Sequence, residues 1–138
     1  MSEIKVDTLT GKTSAGDITV TSEGGAATMQ LQQSLAKAWV NFTGITTTSS
    51  RDSLNVSSLT DGGSGNTTIT FSSVMDSSNY TGSWFCNCST ATTHGSFDNV
   101  YTGGFGSRTT TSYGVYCYGS TGTVDSADND STIFGDLA

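Results

Sequence analysis

The chain contains no proline. Its turns therefore fall to its seventeen glycines and to Asn, Asp and Ser, which reach left-handed backbone conformations or bond their own backbone. Charge is also scarce. Charged residues make up 12% of the chain and hydrophobic residues 33%, against roughly 25% and 45–50% in ordinary globular domains. Lys5, Lys12, Lys37, Arg51 and Arg108 are dispersed along a chain of net charge -7, which argues against nucleic acid as a partner, because phosphate binding needs clustered cations. No apolar run approaches the ~18 residues of a membrane span. The start M-S-E-I-K-V-D lacks the apolar stretch of a signal peptide. We expect no membrane insertion, and synthesis in a cytoplasm. The six N-x-S/T sequons, at Asn41, Asn55, Asn66, Asn79, Asn87 and Asn129, would matter only in a secretory route.

Chemistry-bearing residues are few. Cys86, Cys88, Cys117 and the single histidine, His94, are ligand types for zinc. A C-x-C pair on a strand, however, points both sulfurs to one face and misses the usual spacing of structural zinc sites. A disulfide from Cys117 to Cys86 or Cys88 needs those strands to be neighbours and leaves one thiol over. Buried free thiols are the default in a reducing cytoplasm. His94, Ser96 and Asp98 would share one face of a strand, yet lack the strained turn that nucleophilic catalysis requires. Asp125, Asp128 and Asp130 crowd one stretch without the ligand ladder of a calcium loop. Gly11-Lys12-Thr13 resembles the end of a phosphate-binding loop, but the first glycine of that motif is replaced by Val6. A glycosidase carboxylate pair is not evident, since Asp and Glu lie mostly at turns. The expectation is a non-enzymatic protein with no cofactor and no metal.

What is abundant is Ser and Thr, roughly a third of the chain. Combined with Gly, scattered aromatics and alternating apolar residues, they indicate a β-rich surface protein. Ile4/Val6 and Ile18/Val20 predict two short strands, with Gly24-Gly25 as a flexible exit. Over 27–42 the pattern changes. Leu31, Leu35, Ala38 and Trp39 recur at helical spacing, with Gln30, Gln32, Gln33 and Lys37 on the other side and Thr28 as a cap, so we expect an amphipathic helix. So short a helix is marginal alone. Its narrow stripe suits a seam between copies, making Leu31, Leu35, Ala38 and Trp39 the candidate trimer seam.

Beyond it, Leu54/Val56 and Ile69/Phe71 flank D-G-G-S-G-N and predict a hairpin. Tyr80, Trp84, Cys86 and Cys88 share one strand face, with Phe85 opposite. Tyr113, Val115 and Cys117 share another, against Tyr116 and Tyr118. Ile133 marks a closing strand. Such spacing predicts an antiparallel β-sandwich-like head. Trp84, Tyr101, Phe105, Tyr113, Tyr116 and Tyr118 supply flat rings of the kind that stack on sugars. Tyr116 and Tyr118, on the outer side, are the candidate receptor contacts.

The segments S-E-I-K-V-D-T-L-T-G-K-T-S-A-G-D-I-T-V-T-S-E-G-G, L-A-K-A-W-V-N-F and R-D-S-L-N-V-S-S-L-T-D-G-G-S-G-N-T-T-I-T-F resemble tail-fibre-type virion proteins of marine tailed phages, including those of cyanobacteria. The likeness is close over 2–71, returns at Ile133-Phe134-Gly135-Asp136 and is absent over 84–130. It implies a homotrimer in the virion, assembled in the host cytoplasm. Residues 2–25 would join other virion proteins, and a distal head would meet a host surface glycan or protein. The chain is short for a fibre with a shaft, so a capsid decoration or head-fibre protein is the alternative. The expected organisation is an attachment segment over 1–26, a helix and trimerisation linker over 27–42 and a β-rich head over 43–138.

Overall fold

A computed structural model describes residues 3–14, 18–25, 27–87, 102–119 and 122–138. The chain divides into two compact units, Met1–Leu35 and Ala36–Ala138. The first is thin. Strands β1 (Thr19–Thr21) and β2 (Thr28–Gln30) pair antiparallel. Gly25 takes φ 70° in the turn between them, so the Gly24-Gly25 exit is the tip of a hairpin. Ile4 and Val6, expected in a strand, fall in none.

The long helix predicted over 27–42 is not formed. Helix α1 spans Leu31–Ser34, a single turn. Thr28, the expected cap, lies in β2, and Gln30 at the N-cap makes no side-chain capping bond. The sequence carries two periods at once: Leu31, Leu35 and Ala38 fit a helix, whereas Ala38, Val40 and Phe42 fit a strand. The strand prevails because its alternate residues reach a core, while an uncapped short helix has little to hold it. The helical face joining Leu31, Leu35, Ala38 and Trp39 therefore does not exist. Leu31 and Leu35 belong to the first unit, Ala38 is 0% exposed inside the second, and Trp39 points to the other side of its strand. The head accordingly starts near Ala36 rather than at 43.

The second unit is mainly β and antiparallel. Its strands are β3 (Ala38–Thr43), β4 (Ser49–Leu54), β5 (Val56–Asp61), β6 (Asn66–Phe71), β7 (Thr81–Asn87), β8 (Thr102–Arg108), β9 (Ser112–Gly119), β10 (Gly122–Thr123) and β11 (Asp128–Phe134). One sheet, here called the back sheet, has the order β4-β3-β11-β7. The front sheet runs β5-β6-β9-β8, with β10 paired to the end of β9. Between the sheets lie Ala38, Val40, Phe42 and Ile133 from the back, and Ile69, Phe71, Tyr113 and Val115 from the front, all buried in one cluster. The Val, Ile and Phe side chains among them each contribute about 1.5–3 kcal/mol by leaving water. The layers form a sandwich-like fold.

The first arm of the predicted hairpin, through Leu54 and Val56, is broken at Asn55, which takes φ 57°. That left-handed residue ends β4 and begins β5, carrying the chain from the back sheet to the front with no further linker. It stays in place because the Asn55 side chain bridges to Ser73. The Ser73 N–H donates to Oδ1 at 2.6 Å, and Nδ2 donates to the Ser73 carbonyl at 3.0 Å. The β5–β6 hairpin around residues 62–65 forms as expected.

Candidate binding surface

Strand β9 decides which of its aromatic rings are available. Its period of two buries Tyr113, Val115 and Cys117 against the back sheet and turns Tyr116 and Tyr118 outward. Tyr116 is half-buried and Tyr118 is 41% exposed. Their rings lie nearly parallel, 28° apart, with centroids separated by 6.0 Å.

The neighbouring strand explains that posture. Strand β8 reads T-G-G-F-G-S-R, with Gly104 opposite Tyr116 and Thr102 opposite Tyr118. A Cβ built on Gly106 would sit 2.5 Å from Cε2 of Tyr116, and one on Gly104 would lie 3.7 Å from Cε2 of Tyr118. Both rings therefore lean diagonally over bare glycine backbone. Glycine in a strand marks such a close approach, and aromatic cover of strand glycines is a known stabilising device. Phe105, between the two glycines, packs inward instead. The Arg108 guanidinium sits 5.3 Å from its ring centroid and donates to the Tyr80 carbonyl at 3.0 Å.

The rest of the outer front face continues the tyrosine surface. Cross-strand register places Asn66 beside Tyr116, Thr68 beside Gly114 and Thr60, and Thr70 between Ser58 and Ser112. Among the described outward positions of β5, β6, β8 and β9, none carries a charge. The back sheet's outer face differs. There Asn41 Nδ2 donates to Asp130 at 2.7 Å and to Asp128 at 3.2 Å, and Arg51 Nη1 donates to Asp128 at 2.9 Å.

That network relocates the aspartates expected to crowd a loop. Asp128 and Asp130 lie in β11, and Asp125 separately accepts the Gly65 N–H at 2.7 Å. Among the described residues no His, Cys, Asp or Glu trio is arranged to hold a metal. Cys86 and Cys117 do meet across the sheets, in a small cluster with Trp84 and Val124. Their sulfurs are 2.7 Å apart, and Cys117 is disulfide-bonded. Burial pushes the Cys86 thiol up to about 11, which makes it inert as a nucleophile at neutral pH. Cys88, His94, Ser96, Asp98 and Tyr101 lie outside the described residues. Among the described helices none is long and apolar enough to cross a membrane.

Sequence reasoning placed Tyr116 and Tyr118 on the outer face and missed the glycines beneath them. The signal was present as Gly104 and Gly106, two residues apart in a strand. Comparison with protein-family models, curated proteins and solved structures finds no match to this chain.

Proposed function

We propose that the chain is a phage virion fibre protein, non-enzymatic, whose head attaches the particle to the host cell surface. The observation that carries the attachment role is the pair of nearly parallel tyrosine rings laid over Gly104 and Gly106, on a face whose described outward positions carry no charge. Side chains of this type give recognition surfaces large, rigid contact area at small entropic cost. The virion assignment rests on the sequence resemblance over 2–71. In this reading residues 2–25 dock onto other virion proteins and the chain is a homotrimer. The apolar side chains that the first unit leaves in water, Ile4, Val6, Leu9, Val20 and Met29, are the surface that such assembly would cover.

The experiment is localisation joined to adsorption. Gold-labelled antibody against the chain should mark the tail of intact particles, and the purified protein should bind host cells and compete with infection. Capsid labelling without adsorption would favour a decoration or head-fibre protein. Absence from purified particles would end the virion reading.

A further inference from the structure

The tyrosine pair is one end of a longer track. Along the register of the front sheet, Tyr116 stands next to Asn66, and Gly114, Thr68 and Thr60 form the adjoining row. Gly114 leaves a shallow gap in that row, because even a Cβ there would make only ordinary contact, 3.6 Å from Gly106 Cα. At the far edge Ser58 belongs both to this outer face and to a cleft of about 160 Å³ between β4 and β5. Ser49, Ser53 and Ser57 also line the cleft, with Val56 and Leu59 among its apolar lining. From β8 to β5 the track crosses three strand gaps, about 14 Å in all, the length of about three pyranose rings.

We propose that this face binds an uncharged oligosaccharide laid across the strands, from Tyr116 and Tyr118 at one end to the serine-lined cleft at the other. The inference rests on reading the head as an attachment module and gives that module its ligand class. A pyranose ring has an apolar C–H face that packs on a flat aromatic ring, and its hydroxyls exchange hydrogen bonds with Thr, Ser and Asn side chains. Charge selects among glycans. Among the described outward positions of this face an anionic chain would find no cation, and it would approach a protein of net charge -7, so electrostatics oppose it. Single-stranded nucleic acid also stacks on aromatic rings, yet needs a positive groove along its backbone. A protein ligand would call for large apolar anchors and the pockets that receive them, whereas the outward register positions of β5 and β6 are Ser58, Thr60, Asn66, Thr68 and Thr70.

The test is calorimetric titration of the full chain with malto-, cello- and manno-oligosaccharides of two to six units, beside a sulfated hexasaccharide. At least one neutral series should bind, with affinity rising from the dimer to about the trimer and levelling there. Tyr118→Ala should weaken the longest ligand about ten-fold. Thr68→Val and Ser58→Ala, which leave the core untouched, should weaken the tetramer and spare the dimer. No binding in all three neutral series, affinity independent of length, or preference for the sulfated chain would each overturn the proposal. Adsorption to host cells with no oligosaccharide binding would sink this inference and leave the attachment role standing. Oligosaccharide binding by a protein absent from particles would do the reverse.

Discussion

The hydroxyl of Tyr113 lies 2.7 Å from Oγ of Ser131, so a hydrogen bond crosses the buried interior from the front sheet to the back. Burial pushes the Tyr113 phenol from its ordinary 10.0 up to about 12, while the bond to Ser131 acts in the opposite direction. The Cys86 thiol is raised by burial from 9.0 to about 11.

Both groups tie stability to alkaline pH. In each the folded state holds its proton more tightly than the unfolded chain. Their contribution is complete below about pH 9 and is lost as pH rises through the folded values, between about 11 and 12. For Tyr113 alone the loss amounts to about 2–3 kcal/mol. Urea midpoints should be level from pH 7 to 9 and fall steeply above pH 10. Tyr113→Phe should cost about 1–2 kcal/mol at pH 7, by removing the bond and leaving Ser131 buried without it, and should flatten the alkaline fall. An unchanged slope in that variant would show that Tyr113 does not govern it.

The corner at Asn55 separates conformational strain from hydrogen bonding. Asn55→Gly keeps the left-handed backbone and loses both bonds to Ser73, at about 1–2 kcal/mol. Asn55→Val loses the same bonds and adds a β-branched residue at positive φ, for about 1–2 kcal/mol more. Thermal midpoints should therefore rank the native chain above Gly and Gly above Val. Equal midpoints for the two variants would mean that the turn relaxes without strain.

At the tyrosine surface, Gly106→Ala should act at a distance of one side chain. The new methyl meets Tyr116 at 2.5 Å, and the flexible ring, rather than the strand, gives way. Circular dichroism and the unfolding midpoint should change little, while adsorption falls nearly as far as in Tyr116→Ala. Gly104→Ala, with 3.7 Å to the Tyr118 ring, should be close to silent. If the two glycine variants adsorb alike, ring posture does not matter.

What could be read in the sequence follows from where side chains alternate. Ile69/Phe71, Tyr113/Val115/Cys117 and Ile133 alternate cleanly and occupy the strands expected of them. Strand β8 escaped notice because T-G-G-F-G-S-R offers one apolar side chain, Phe105, in seven residues, too little to show a period. The helix over 27–42 failed for the opposite reason: both periods fit, and only the core that Ala38, Val40 and Phe42 enter chooses between them. Residues 53–59 alternate, yet a single left-handed Asn55 redirects them. The site was half legible, since alternation reveals which tyrosines face outward but the flat posture of their rings depends on a neighbouring strand.

Assembly can be assigned to one unit or the other by dividing the chain where it divides itself. In the first unit Ile4 is 85% exposed, Leu9 60%, Met29 58% and Val6 57%, a load of apolar surface that a thin hairpin cannot bury and that water disfavours. The second unit has its own core, built entirely from residues after Ala36. A chain beginning at Ala36 should therefore keep β-type circular dichroism and a cooperative unfolding transition, run as a monomer in light scattering, and fail to join particles. The full chain at micromolar concentration should scatter as a trimer. Val6→Asp with Met29→Asp should reduce that mass without changing the head's unfolding midpoint. A truncated chain that still forms trimers would put the seam within the sandwich. A monomeric full chain would show that copies of this chain do not cover the exposed side chains of the first unit.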